Sequence, residues 1–301
     1  GKYAGMSTDE SNPVILNDDR SEKVLYDYPD YPIYIHRGLL SFYPEYRAAS
    51  HWHDDVEFIS VLSGQMQYSV NGEVIDLQTG DGIFINSGQM HFGFSDNRQE
   101  CDFLCILFHP LLLTSAFPYE TDFVAPLIRN SCLPFLPLHA SVPWHSEIIS
   151  QLYQLYSLRQ TPTAPMRSLA AFAGIWSLLC DHAPSDARKK PRQNQDLVIT
   201  KNMVGFIQKN YRKKISLAEI AAAGAVGESK CCKLFAKYFS QSPNQYLNQY
   251  RLGKSLDLLL NKDLTITEIA FSTGFSGASY YAEMFRRWMG KSPREYRNSA
   301  I

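Results

Sequence analysis

Two segments in the last third of the chain share one pattern, about fifty residues apart. Each has a capping residue, a short helix, a turn and a longer amphipathic helix; Ser216 with Glu219, and Thr265 with Glu268, have the spacing of capping boxes. The pattern predicts two helix-turn-helix units whose longer helices each bury one face. The residues assigned to the buried faces are Cys231, Leu234, Phe235 and Tyr238 in the first unit and Tyr281, Met284, Phe285 and Trp288 in the second.

The opposite faces of the longer helices carry small, polar and basic side chains. A helix in the DNA major groove needs short side chains near base edges and cations or hydroxyls near phosphates. Ser242-Pro243 begins a connecting helix that reaches about Leu260, roughly 27 Å at about 1.5 Å per residue, which suits successive major grooves about 34 Å apart. The predicted DNA-contacting residues are Gly227, Glu228, Ser229, Lys230, Cys232, Lys233, Lys237, Gly277, Ala278, Ser279, Tyr280, Ala282, Glu283, Arg286 and Arg287.

The charge of the chain is unevenly distributed. Residues 1–186 hold 9 Lys+Arg and 22 Asp+Glu, whereas residues 187–301 hold 20 and 8, so net charges of −13 and +12 combine to −1. A positive surplus of this size on a small domain attracts a polyanion such as DNA, although acidic and basic halves can also pair with each other. The distribution favours a nucleic-acid partner.

The region from about Gln195 to Tyr296 resembles the DNA-binding domain of the AraC family of transcription regulators. The stretches that carry the resemblance are Ile269-Ala270-Phe271-Ser272-Thr273-Gly274-Phe275, Ser279-Tyr280-Tyr281, Phe285-Arg286-Arg287, Gly290-Lys291-Ser292-Pro293 and Tyr296-Arg297. The chain departs from the family at Glu283, where a basic residue is common, and at Gly227 and Cys231-Cys232. The resemblance implies double-stranded DNA half-sites and a small-molecule effector as partners, with RNA polymerase as a further partner if the regulator activates, as we expect.

The first half of the chain reads as short strands between turns. Asn71-Gly72 lies between alternating apolar segments and predicts a hairpin. Many short strands at regular spacing predict an antiparallel barrel or jelly roll. The predicted strands are 33–36, 56–62, 66–70, 74–77, 83–85 and 103–108.

Two segments of this region resemble the motifs of the cupin superfamily. The first is His51-x-His53-x3-Glu57-x6-Gly64, and the second is Gly80-x5-Asn86-x-Gly88-x2-His91, with Asn86 in place of the usual proline. In metal-binding cupins the matching three histidines and one glutamate hold a divalent ion. The resemblance therefore implies a divalent transition metal at His51, His53, Glu57 and His91, for which imidazole and carboxylate ligands suit Fe, Mn, Ni or Zn.

The same four residues allow a second interpretation without metal. Sensor domains of the resembled family commonly keep a similar stretch and use the barrel cavity to hold a sugar or another small effector. Tyr34, His36, His53 and His91 are the predicted effector-binding residues. A metal-dependent cupin enzyme or a metal sensor fused to a DNA-binding domain is the alternative; because of that fusion, we expect no enzyme activity.

Two apolar helical stripes follow the strands, at 143–160 and 166–182. They permit either pairing of two subunits or an intramolecular bundle against the barrel, and we expect a homodimer. The polar, proline-containing segment after them reads as a linker. No segment reaches the roughly eighteen apolar residues of a membrane span, no secretory signal is recognisable, and no Cys-x-x-Cys pair occurs, so we expect a cytoplasmic protein without a membrane partner.

The sequence thus predicts two domains, an N-terminal all-β cupin or jelly-roll barrel with trailing helices and a C-terminal all-α domain in which a long helix joins two helix-turn-helix units. The predicted boundaries are an N-terminal arm at 1–30, with 1–5 ahead of Met6 consistent with an expression scar, a sensor barrel at 31–142, a helical dimerisation region at 143–182, a linker at 183–195 and a DNA-binding domain at 196–301.

Overall fold

A computed structural model describes residues 27–28, 30–184 and 194–299. The described residues divide into two compact units, 27–184 and 194–299. The first unit is a β-sheet with trailing helices and the second is helical, so the predicted two-domain fold is confirmed. Most of the predicted N-terminal arm and linker lies outside the described residues. No helix in the described ranges combines the length and apolar character needed to cross a membrane.

The described part of the first unit contains a seven-stranded antiparallel sheet. Its strands are β1 Ile33–Leu39, β2 Val56–Val70, β3 Glu73–Gln78, β4 Gly82–Ile85, β5 His91–Phe94, β6 Cys101–Phe108 and β7 Phe135–Leu138. Hydrogen bonds link them in the order β1-β6-β2-β4-β7, and β3 and β5 both pair with β2. Asn71 and Gly72, both with positive φ, form the predicted hairpin turn between β2 and β3.

Strand β2 is long enough to belong to two parts of the sheet. Its first half pairs with β4 and β6, its second half pairs with β3 and β5, and the register shifts between Val61 and Ser63. Among the described residues the sheet does not close into the expected barrel, because the path of pairings starts at β1 and ends at β7 without joining them. β7 has four residues, and its Pro137 lacks the N–H that a further strand pairing would require.

The helices of the first unit pack on one face of the sheet. They are α1 Phe117–Tyr119, a π-helical segment Glu120–Val124, α2 Ala125–Ile128, α3 Pro143–Leu158 and α4 Ala164–His182. Phe172 of α4 stacks on Phe108 of β6 with 4.4 Å between ring centroids, and the Trp176 indole N–H donates to the Phe123 carbonyl. Both predicted apolar stripes are buried in this core, which leaves only the outer faces of α3 and α4 for another molecule.

The second unit consists of seven helices within its described residues. They are α5 Gln195–Asn210, α6 Leu217–Ala223, α7 Glu228–Phe239, α8 Pro243–Leu259, α9 Ile266–Ser272, α10 Ala278–Met289 and α11 Pro293–Ser299. Both predicted capping boxes form, with Ser216 and Thr265 accepting from the backbone N–H groups of Glu219 and Glu268. α6 with α7, and α9 with α10, are the two helix-turn-helix units, and the 17-residue α8 connects them.

The turn of the second helix-turn-helix unit depends on Gly274. Its φ is +94°, and a Cβ at this position would lie 2.2 Å from the Tyr211 carbonyl oxygen. Arg251 is a buried residue of α8, and its guanidinium donates to the carbonyls of Tyr211 and Lys213. These hydrogen bonds hold the segment that follows α5 against α8. This turn therefore joins α8, α9 and the end of α5.

Gly274→Ala should lower the free energy of unfolding by at least about 2 kcal/mol, because positive φ costs an L-residue about 1–2 kcal/mol before the backbone collision is added. Gly253→Ala is the matched control. It lies in the interior of α8 with open space around its Cβ and should stabilise by about 0.5–1 kcal/mol. Calorimetry of the full chain distinguishes them; equal effects would contradict this account of the turn.

Candidate functional site

Four potential ligand side chains meet inside the first unit, and we call His51, His53, Glu57 and His91 the acceptor cluster. One ligand atom from each lies within 4.8 Å of the others. All four are buried, with at most 5% of any residue exposed. Glu57 lies at the start of β2 and His91 at the start of β5, and reciprocal backbone hydrogen bonds between His51 and His91 place those two residues side by side.

The backbone sets the protonation of the three imidazoles. The Nδ1 atoms of His51, His53 and His91 lie 2.6, 2.8 and 2.8 Å from the carbonyl oxygens of Ala49, Asp55 and Gln89. A carbonyl only accepts, so each Nδ1 carries the proton and donates. The rings of His51 and His53 then have their lone pair on Nε2, the arrangement typical of histidines that bind metals, whereas His91 Nε2 donates to the Glu57 carboxylate at 2.6 Å.

Burial and the neighbouring charges determine the protonation of His51, His53 and Glu57. Burial, with a contribution from His91, lowers the pKa of His53 to about 4, and burial also lowers the pKa of His51. Burial alone would raise the pKa of Glu57, but the neighbouring His91 outweighs it and holds that pKa below its ordinary range. At neutral pH, His51 and His53 are neutral and Glu57 is a carboxylate.

Glu57 is held by three side chains. Its Oε2 lies 2.6 Å from His91 Nε2 and accepts a hydrogen bond of 3.1 Å from the Tyr68 hydroxyl. Its Oε1 accepts from Cys105 Sγ at 3.1 Å. Burial and the adjacent Glu57 raise the pKa of Tyr68, so its hydroxyl keeps the proton that it donates. Neighbouring side chains therefore hold both oxygens of the Glu57 carboxylate.

The acceptor cluster fits a divalent transition metal in ligand type and in spacing. Two ligand atoms on opposite sides of an ion with bonds of about 2.1 Å are about 4.2 Å apart, so the cluster needs to contract by about half an ångström. Three imidazoles and one carboxylate form a ligand set that Fe, Mn, Ni and Zn accept, once His91 loses the proton that it donates to Glu57.

A cavity of about 60 Å³ adjoins the acceptor cluster. Its lining residues are Tyr34, Leu40, Tyr43, Ala48, His51, Glu57, Ile59, Met66, Tyr68, Gly93, Phe103, Cys105 and Leu107. Of the predicted effector-binding residues, Tyr34 lines this cavity, while His53 and His91 belong to the cluster beside it. His36 is not among the lining residues; its Nε2 lies 2.5 Å from Asp27 Oδ1.

The predicted DNA-contacting face of α7 is exposed. Cys231, Leu234, Phe235 and Tyr238 are buried as predicted. The exposed side is Gly227, Glu228, Ser229, Lys230, Cys232, Lys233 and Lys237, and we call it the α7 face. Asp196, in the first turn of α5, lies 3.5 Å from the Lys230 ammonium and 3.9 Å from that of Lys237.

The corresponding side of α10 also reaches solvent. Ser279, Tyr280, Glu283, Arg286 and Arg287 are exposed, and Gly277, Ala278 and Ala282 are partly exposed. Tyr281 and Phe285 are buried as predicted, while Met284 and Trp288 are only partly buried at the edge of the core. The Tyr280 hydroxyl accepts from Asn248 of α8, which holds its ring in position, and Arg287 pairs with Glu283 at 2.8 Å.

Several residues of these sites were missed by sequence reasoning. Tyr68 contacts Glu57 from the far half of the same strand, β2, and Cys105 contacts it from β6, and no motif marks either residue. Asp196 lies more than thirty residues before the lysines it approaches. Only its position in the first turn of a helix, where an acidic residue is ordinary, could have drawn attention to it.

Comparison with known families accounts for both units. A family model described as an AraC-like ligand binding domain matches residues 37–171, and one described as a helix-turn-helix domain matches residues 220–299. The chain belongs to the AraC family of transcription regulators. It is a DNA-binding regulator with a ligand-binding domain, in which the acceptor cluster and cavity lie within the first match and α7 and α10 within the second.

Known relatives extend over most of this AraC-family chain. The HTH-type transcriptional regulator YdeC of Bacillus subtilis is 29% identical over 255 residues, covering 82% of this chain and 85% of YdeC. The melibiose operon regulatory protein of Escherichia coli K12 is 23% identical over 278 residues, covering 87% and 91%. The structure of ToxT from Vibrio cholerae matches with a TM-score of 0.44 at 15% identity, covering 89% of this chain and 98% of ToxT.

Lys233→Ala and Arg286→Ala should each weaken operator binding, because both cations are exposed on the predicted DNA-contacting faces. Loss of a phosphate contact lowers affinity equally across sequences and reduces the salt slope by about one; loss of a base contact costs about 1–3 kcal/mol and relaxes specificity at one position. Arg98→Ala, which removes an exposed cation between β5 and β6 of the first unit, is the control. Unchanged binding in both variants would show that these faces do not dock.

Asp196→Asn should raise affinity for DNA of any sequence about two- to fivefold at low salt, because the carboxylate competes with phosphate for Lys230 and Lys237. The gain should shrink at higher ionic strength. Asp76→Asn on exposed β3 makes the same change in net charge within the first unit. Equal gains from the two substitutions would mean that net charge, not the local pairing, controls binding.

Proposed function

We propose that this chain is a cytoplasmic, homodimeric, sequence-specific transcription activator, without enzyme activity, that responds to a small-molecule effector in the cavity of the first unit. The main support is that one chain combines a cavity bordered by a buried polar cluster with two exposed helices suited to the major groove. A ligand site in the same chain as a DNA-binding domain suits a regulator that senses a small molecule. A residue that transfers a proton or forms a covalent intermediate is not needed for that role.

We propose that the dimer forms through the outer faces of α3 and α4. The apolar stripes of these two helices are buried in the core of the unit, so only the outer faces remain for a second subunit. A dimer places two pairs of recognition helices on paired half-sites. An effector can then alter operator affinity by changing the geometry of these helices. RNA polymerase is the proposed partner at an activated promoter.

A sugar is one proposed effector, supported by relatives such as the melibiose operon regulatory protein. The cavity volume of about 60 Å³ is far below the about 300–1,000 Å³ of ordinary ligand pockets. A sugar would therefore have to displace the aromatic side chains Tyr34, Tyr43 and Phe103 that line the cavity.

Effector binding should change operator affinity by about 5- to 150-fold, since a ligand shifts an equilibrium only through different affinities for two states. Operator fragments selected in vitro with the full chain would be titrated with and without melibiose, rhamnose and a metabolite panel. Transcription with purified RNA polymerase gives the sign of regulation, and sedimentation gives the oligomeric state. Operator affinity and promoter output that no compound changes would refute effector control.

A further inference from the structure

We propose that Glu283 selects cytosine in the part of the operator that α10 contacts, and that α7 and α10 therefore read different bases. This base selection rests on the sequence-specific DNA binding of the proposed function. It is independent of the effector, of dimer formation and of the sign of regulation.

Lys233 of α7 and Glu283 of α10 occupy equivalent positions in the two helix-turn-helix units. Each lies midway between two buried residues of its own helix, which are Cys231 and Phe235 in α7 and Tyr281 and Phe285 in α10. Two residues turn an α-helix by about 200°, so both side chains point away from the buried faces. Both are exposed. They therefore lie at the centre of the faces predicted to contact DNA.

The two helices differ in charge at this central position. Four residues further along, Lys237 and Arg287 are both cations, whereas Lys233 and Glu283 have opposite charges. Glu283 is the only acidic residue among the 12 residues of α10. Phosphates repel a carboxylate, so attraction to the DNA backbone cannot stabilise Glu283 at the interface. A hydrogen-bond donor on a base edge can.

The donors and acceptors of the bases decide which base suits a carboxylate. An ionised carboxylate only accepts hydrogen bonds. In the major groove guanine and thymine present only acceptors as hydrogen-bonding groups, adenine presents an amino donor beside the N7 acceptor, and cytosine presents only its N4 amino donor. Glu283 therefore suits cytosine, where no acceptor faces its second oxygen. Lys233, which only donates, suits guanine.

Arg287 holds the Glu283 carboxylate on the exposed side of α10. Its guanidinium donates to Glu283 Oε1 at 2.8 Å, and Oε2 is a further acceptor for the cytosine amino group. The two side chains are 70% and 58% exposed, so a base edge can reach the pair. The positive charge also offsets the repulsion between the carboxylate and the phosphates. Arg287 is thus a positioning residue for Glu283.

The proposal is tested by selecting operator sequences from a random DNA library with the full-length wild-type chain, Glu283→Gln and Glu283→Lys. Wild type should select cytosine at one operator position that changes in both variants. Glutamine pairs with N6 and N7 of adenine and lysine pairs with guanine, so these bases should replace cytosine there. In competition titrations each protein should prefer its own base at least about fivefold, with all other positions unchanged.

Asp263→Asn is the matched control, because it removes an exposed carboxylate from the loop between α8 and α9 of the same unit. It should change affinity equally for all sequences and leave the selected bases unchanged. Circular dichroism and thermal unfolding confirm that each variant is folded. If Glu283→Gln and Glu283→Lys also alter affinity equally for all sequences, Glu283 acts only on phosphates and the inference is overturned.

Two substitutions of Arg287 test its positioning role. Arg287→Ala should reduce the ratio of affinities for the cytosine operator and for operators with another base at that position. Arg287→Lys keeps the cation and should retain most of this ratio. A ratio that Arg287→Ala leaves unchanged, even with weaker binding to every sequence, would show that Arg287 contacts phosphate and does not position Glu283.

The same selection separates this inference from the proposed function. A wild-type chain that selects no sequence contradicts sequence-specific binding and the inference together. A selected operator that no substitution of Glu283 alters contradicts the inference alone. Selection that shifts as expected, in a chain whose operator affinity no compound changes, supports the inference and contradicts effector control.

Discussion

The first unit depends on one strand that pairs with four others. β2 runs for 15 residues, and its two halves pair with β4 and β6 and with β3 and β5. Glu57 lies in the first half and Tyr68 in the second, so the bend of a single strand brings the carboxylate and the hydroxyl that holds it to 3.1 Å. The pairing of β5 with the second half adds His91 to the same place. The same strand pairings that form the sheet therefore also bring the side chains of the site together.

The position of the acceptor cluster imposes an energetic constraint on the fold. Four polar side chains occupy a region otherwise filled by residues such as Ile59, Met66 and Phe103. Burying such groups destabilises a fold unless partners satisfy them. The backbone carbonyls accept from one side of each imidazole, and His91 also contacts Glu57 through its other ring nitrogen. These contacts offset part of the cost of burying the four side chains.

Features with local causes could be predicted from the sequence. Capping boxes at Ser216 and Thr265 need only residues three apart, and the Asn71-Gly72 hairpin needs only its own dihedral preferences. The His and Glu motif likewise identified its four residues before any geometry was known. The helical repeat separated buried from exposed faces of α7 and α10 because helical periodicity is local.

Features with long-range causes could not be predicted in the same way. Strand alternation places Tyr34 and His36 on one face, where their rings stack, but only the fold determines that Tyr34 lines the cavity and His36 contacts Asp27. Barrel closure failed as a prediction because it depends on which strands end the pairing path. The pairing of Asp196 with two lysines of α7 depends on helix packing, which no local pattern encodes.

The central claim is that ligand binding in the first unit and DNA binding in the second are thermodynamically linked. Reciprocity tests this directly, because an effect of ligand on DNA affinity requires an equal effect of DNA on ligand affinity. The measurement is the affinity of the wild-type chain for the compound that the metabolite panel identifies as its effector, with and without saturating operator DNA. The account predicts that operator changes this affinity at least fivefold. Identical affinities would contradict it, because the two units would then bind their ligands independently.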